Sequence, residues 1–171
     1  MKTTLKLVLI VVFVAFCNSV SAQNIKLAHI SLQDLIFAMP EYETAMADLQ
    51  KIGQELQNEI ELLRVEFNRK LQDFTTNSAN LTDLVRSSRE DELRQMNQRI
   101  AVFQQQAQES YELEHQKLMQ PVLEKANKAI ETVAREQEVT YVISADPQIL
   151  LFKAIGTLDL LPFVKQHLGI K

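Results

Sequence analysis

The sequence predicts an α+β fold of uneven proportions: a small body drawn from both chain ends, with a long α-helical coiled-coil hairpin inserted between them. Three observations carry this expectation. Between about Glu41 and Glu138 apolar residues recur every three to four positions, as along one face of a helix. The 171-residue chain contains only three glycines and four prolines, so little interrupts that pattern. On either side of it the period shortens to that of strands, at Ile25 to Ile30 and again at Val139 to Ile143.

Residues 1–22 read as an export signal. Basic Lys2 and Lys6 precede an apolar run from Leu7 to Phe16, and the small residues Ser19, Ser21 and Ala22 precede Gln23. The run is about ten residues, against the roughly twenty needed to cross a bilayer. A lipid-linked cleavage at Cys17 fits poorly, because Phe16 before it is large. Cleavage after Ala22 removes the only cysteine and leaves 16 basic against 22 acidic side chains, about −6 in formal charge. Packing or assembly, not disulfides, must then stabilise the exported chain. An acidic balance argues against nucleic acid as a partner, since phosphate binding needs clustered Lys and Arg.

The first body segment, residues 23–39, is predicted as a strand and a short helix. Ile25, Leu27 and His29 share one face of the strand, and Ser31 with Asp34 forms the cap signature of a helix carrying Leu35, Ile36 and Met39. Pro40 disfavours helical geometry at Met39 yet suits a first helical turn, so a second helix starts at Pro40 or Glu41. The hairpin is placed at residues 40–120, with its tip near 75–82. Its outward limb repeats every seven residues: Met46, Gly53, Ile60, Phe67 and Phe74 at one seam position, Tyr42, Leu49, Leu56, Leu63 and Lys70 at the other. The turn-prone run from Thr75 to Asn80 ends it, and Asn80 or Thr82 caps the return. On the return limb Leu93, Ile100 and Ala107 hold one seam position and Met96 and Phe103 the other. From Tyr111 the spacing becomes dominated by four, and Pro121 marks the expected junction with the body.

The second body segment, residues 121–171, holds the end of the helix, a strand at Val139–Ile143 and a turn at Asp146-Pro147. A second strand is expected at Ile149–Phe152, followed by a terminal helix with Thr157 or Asp159 as cap and Gly169 at its end. A strand apolar on both faces requires cover on both, and one terminal helix cannot provide it. About seventy residues in such pieces form a marginal core, so a homo-oligomer is expected. The candidate oligomer core is Ile25, Leu27, Val142, Leu151 and Phe152.

Chemistry is hard to find. His29, His115 and His167 are far apart in sequence, and none has a Cys or a second His at metal-ligand spacing. The carboxylates Glu59 and Glu61, or Glu90, Asp91 and Glu92, fall on an exposed rod with no pocket to shift them. Ser87 and Ser88 have no neighbouring base, and Gly-rich phosphate loops are absent. The expectation is a protein that is not an enzyme, without cofactor or metal, acting through its surface. Four apolar residues off the seam, Ile52, Leu62, Val65 and Val102, are candidates for holding an unfolded chain. Basic residues gather toward the tip, among them Arg86, Arg89 and Arg94. They serve either ordinary helix solvation, through pairs such as Glu66 with Lys70 and Glu90 with Arg94, or contact with an anionic client or a membrane surface.

The order of parts now becomes informative: Ile-Lys-Leu-Ala-His-Ile, a short helix ending Ala38-Met39-Pro40-Glu41, the heptad hairpin, then Val139-Thr-Tyr-Val-Ile-Ser144 and a terminal helix. This arrangement resembles the Skp/OmpH family over essentially all of the chain after the signal. The resemblance implies an ATP-independent periplasmic holdase: a homotrimer whose subunits build a small β-barrel body and project three hairpins around unfolded outer-membrane proteins. The best-known members are basic, whereas this chain is acidic with its positive residues mostly toward the tip. A structural or adaptor coiled coil of the cell envelope is the alternative reading.

Overall fold

The computed structural model describes residues 25–170, so the expected export signal at residues 1–22 lies outside the described residues. The chain runs through β1 (Leu27–Ile30), α1 (Leu32–Ala38), α2 (Pro40–Asn77), a short 3-10 turn (Ser78–Asn80) and α3 (Asp83–Glu136). It closes with β2 (Tyr141–Ser144), β3 (Leu158–Asp159) and α4 (Leu161–His167).

Helix starts follow local chemistry. Ser31 Oγ accepts the Asp34 N–H at 3.2 Å and caps α1. Met39 is extended at ψ 130°, as a residue before proline prefers, and Pro40 occupies the first turn of α2, where its missing N–H removes no helical bond. Thr82 caps α3 by accepting the Val85 N–H. The outward helix ends at Asn77, inside the turn-prone run expected to end it, and the reversal occupies 78–82. Hydroxyls of Thr75 and Thr76, in its last turn, donate back to the carbonyls of Leu71 and Gln72.

At 1.5 Å per residue, the 38 residues of α2 extend about 57 Å and the 54 of α3 about 81 Å. They lie antiparallel, fastened by Lys125 to Glu41 near the body and by Lys70 to Glu92 near the tip. Leu49, Leu63, Ile100 and Ala107 are buried along the seam, while Leu56, Ile60, Phe67, Leu93, Met96 and Phe103 are half-buried. Gly53 breaks the apolar repeat where the Tyr111 ring crosses: a Cβ there would stand 3.4 Å from the ring. Met46 departs from its predicted seam position and is exposed, because α2 turns Ala45 inward as it joins the body core.

α3 does not stop at Pro121. The proline ring lies on an exposed face, and the helix continues through it to Glu136. Immediately beyond, Val122, Ala126, Ala129 and Val133 form one stripe, spaced four, three and four, that packs into the body. Leu35 and Met39 from the α1 side and Leu160 and Val164 from the C-terminal side meet that stripe, all essentially inaccessible to solvent. Asp159 Oδ1 accepts the Leu161 N–H at the start of α4, and Gly169, at φ +69°, ends it in the left-handed region that glycine adopts without strain.

The described sheet has three strands in the order β2-β1-β3, with both pairs parallel. Parallel neighbours require a crossover, and here the crossover from β1 to β2 is the entire helical hairpin. Two expectations need correction. The sheet is open and not a closed barrel. Nor is Ile149–Phe152 a strand: the Asp146 carbonyl accepts the amides of Ile149 and Leu150, each at 2.8 Å, and its carboxylate accepts that of Gln148 at 2.8 Å. Those donors are spent on a turn, and β1 is already flanked on both sides, by β2 and by the two-residue β3.

Candidate functional site

The residues singled out from sequence form two surfaces on different parts of the molecule. On the hairpin, Leu62 is 64% exposed, with Val65 and Val102 also open to solvent, while Ile52 is half-buried against the seam. The antiparallel register brings Val102 to the level of Leu62, whereas Ile52 lies nearer the body. Sequence reasoning missed four further exposed apolar residues, Leu71, Leu84, Val85 and Leu113. All four fall off the seam repeat, the same signal that marked the others. Leu84 and Val85 sit at the tip itself.

The basic residues of the tip are less free than their spacing suggested. Arg89 binds Glu92 at 2.9 Å, Arg94 pairs with Asp91, and Arg86 reaches Asp83 at 3.8 Å and the Leu81 carbonyl at 3.4 Å. Arg86 Nε is buried without a partner among the described residues. Neither expected pair forms: Lys70, on the seam, crosses to Glu92 in place of Glu66, and Arg94 takes Asp91 one turn back in place of Glu90. Hydrogen bonds from Lys70 and then Arg89 hold the Glu92 carboxyl below its ordinary value, and Asp91 raises the Arg94 guanidinium. At the arm's root the bond from Lys125 lowers Glu41 in the same way. Arg86, Arg89 and Arg94 thus sit beside acidic partners, with exposed apolar residues between them.

The second surface is the outer face of the sheet. The register Leu27 to Tyr141 and His29 to Ile143 places these four side chains on one side. Ile25, Leu27, Tyr141 and Ile143 are exposed there, and the loop after β2 adds Leu151 at 91% and Phe152 at 81% exposure. Val142 does not belong to this surface. The pleat turns it inward with Ala28, where it packs, half-buried, on the chain's own core. Ile25, Leu27, Leu151 and Phe152 are exposed.

A cleft of about 570 Å³ at the arm's root is lined by Ile36, Phe37, Tyr42, Met46, His115 and Met119, with Ser31, Ser144 and Asp146 at its polar edge. These polar groups hold the backbone and do not form a relay. Ser31 accepts from Asp34, Ser144 from the Asp146 N–H at 3.2 Å, and Asp146 from Gln148. Among the described residues no cluster of three or more His, Cys, Asp or Glu side chains has metal-binding geometry. No described helix is long and apolar enough to cross a membrane.

Comparison with known proteins places this architecture. Residues 26–168 match the family model for outer membrane protein (OmpH-like). No curated protein matches the chain. Among solved structures, a candidate outer membrane chaperone (OmpH-like) from Caulobacter crescentus CB15 superposes with a TM-score of 0.74. That likeness spans 84% of this chain and 83% of the other at 15% identity, a likeness of fold.

Proposed function

The chain belongs to the OmpH-like family of outer membrane proteins, and from that premise we propose that it is a periplasmic, ATP-independent holdase that binds unfolded outer-membrane proteins and keeps them from aggregating. The observation that carries the reading is the way the hairpin spends its apolar residues. Its seam buries few side chains completely, while Leu62, Val65, Leu71, Leu84, Val85, Val102 and Leu113 stay open along both helices. Scattered apolar contacts of this kind are individually weak. Several arms acting on one client multiply them, and a compartment without ATP needs contacts that release without an energy-consuming step.

Several arms require several chains. In this reading the outer sheet face, with Leu27, Tyr141, Ile143, Leu151 and Phe152, is the surface through which three copies meet to form the hub. Its apolar character and its distance from the hairpin tip suit that role. An acidic overall balance and paired tip arginines make apolar contact, more than charge, the basis of client capture.

The test is suppression of aggregation. Protein lacking residues 1–22, added at about one trimer per unfolded β-barrel membrane protein and without nucleotide, keeps the client soluble. Failure across several such clients removes the proposal. Cross-linking from position 62 or 102 in cells separates it from the adaptor reading: many unfolded barrels are trapped if the protein is a holdase, one fixed folded partner if it is an envelope tether.

A further inference from the structure

Two clefts adjoin at the arm's root, and the proposed function gives neither a role. The one lined by His115 and Met119 shares Phe37, Tyr42 and Met46 with a second of about 700 Å³, which continues over Glu43, Ala47 and Gln50 to Tyr111. Local chemistry builds this groove. The break at Met39-Pro40 turns the chain between α1 and α2, and across it the rings of Phe37 and Tyr42 meet with centroids 5.1 Å apart. Gly53 leaves room for the Tyr111 ring to cross α2 farther along. From Tyr42 to Gln50 the floor runs about 12 Å, the span of about four residues of extended chain.

Two of the three tyrosines line the groove, with two of the four methionines that follow residue 22. Phe37 is 56% exposed, and Met46 and Tyr111 are open to solvent as well. Aromatic faces attract cations, and methionine side chains adapt to unlike apolar partners. The rim is negative: Glu43 and Asp146 line the groove, and among its described lining residues none is lysine or arginine. Between Glu41 and Glu61 α2 carries six carboxylates against Lys51, and of the six only Glu41 has an ion-pair partner among the described residues. Charge at the tip is met by neighbours; charge at the root is not.

We infer that the groove binds cationic apolar segments of an unfolded client, short extended stretches in which arginine alternates with large apolar side chains. The inference rests on the holdase reading and adds the chemistry of what is held. Apolar side chains lie against Phe37, Met46 and Met119, while a guanidinium stacks on Tyr42 or Tyr111 within the field of Glu43. An acidic segment meets only like charge there. A floor of this length suits a few extended residues and not a folded surface, which needs about 800 Å² per partner. Leu151, Phe152 and Lys153 of a second copy share the required chemistry. The proposed hub, however, joins that loop to Leu27, Tyr141 and Ile143, and none of these lines the groove.

The test uses the assembled chain lacking residues 1–22 and short labelled peptides with the cores Leu-Arg-Phe-Arg-Leu, Leu-Glu-Phe-Glu-Leu and Ser-Arg-Ser-Arg-Ser. By fluorescence anisotropy the first is expected to bind about tenfold tighter than either of the others. In nuclear magnetic resonance it shifts the Met46 and Met119 methyl signals and leaves that of Met96, on the distant seam, in place. Glu43→Gln weakens this peptide about two- to fivefold, an effect that salt also removes, and Phe37→Ser, an exposed change, weakens it further. Equal binding of the arginine and glutamate peptides, unmoved Met46 and Met119 methyls, or wild-type affinity in both variants overturns the inference. So does contact of those methyls with Leu151 or Phe152 of another copy, seen in particles mixed from differently labelled chains. A chain that keeps an unfolded barrel soluble without gripping the peptide removes this inference alone. One that grips the peptide and holds no barrel removes the holdase reading and supports the groove's chemistry.

Discussion

The body and the hairpin are built from the same kinds of residue and held in opposite ways. In the body, Leu35, Met39, Leu160 and Val164 are enclosed on all sides, because α1, α4, the α3 stripe and the inner sheet face converge on them. In the hairpin a single narrow seam joins two helices, and only Leu49, Leu63, Ile100 and Ala107 are buried along it. Enclosure fixes the body. A one-sided seam leaves most of each hairpin helix facing water, which is what a surface meant for weak, adaptable contacts requires.

The largest effect separating the two regions is expected in the core. Leu35→Ala or Leu160→Ala removes a fully enclosed side chain and costs about 2–5 kcal/mol, seen as loss of the whole unfolding transition toward lower denaturant. Leu63→Ala tests the other half of the comparison. It is expected to cost nearer 2 kcal/mol and to show as faster hydrogen exchange along the hairpin, with body amides unchanged. Coupled loss of protection in both regions would break the distinction.

A smaller change sharpens it. Gly53→Ala places a Cβ 3.4 Å from the Tyr111 ring, at ordinary contact distance, and gains helix propensity, so the hairpin is expected to gain about 0.5–1 kcal/mol. Gly53→Leu, too large for that gap, reverses the sign. Both are read by exchange of α2 amides.

The smallest effect is electrostatic. The folded Glu92 carboxyl sits below its ordinary value of 4.5 because Lys70 and Arg89 bond it. A lowered folded value means that the contribution is present above the ordinary carboxylate range and fades as pH falls through the lowered one. Glu92→Gln is therefore expected to flatten the acid dependence of hairpin exchange below about pH 4.5, an effect that salt also weakens.

How much of this could be read in advance divides along the same line. The hairpin was legible because a seven-residue repeat is written many times over, so Leu49, Leu63, Ile100 and Ala107 found their seam despite Gly53 and Lys70. Its local details were not. Whether Thr75 and Thr76 end a helix depends on where their hydroxyls point, and whether Lys70 pairs with Glu66 or Glu92 depends on a helix far away in sequence. In the body the difficulty was greater. Ile149–Phe152 has strand composition, but a strand needs a free edge, and Asp146 claims three amides for a turn before any edge is reached. β3 is two residues long and was hidden in what reads as a helix cap. Val142 was expected in an oligomer core with no face assigned to it, and the pleat that packs it on the chain's own core depends on a pairing register that the sequence does not write out.

The proposed holding function joins the two regions, since a hub made by the body must present several hairpins to one cargo. Native mass measurement of the exported chain, alone and with an unfolded β-barrel membrane protein, tests this directly. The account predicts a particle of three chains that gains the mass of one client without nucleotide. A folded single chain that gains no client mass would contradict it.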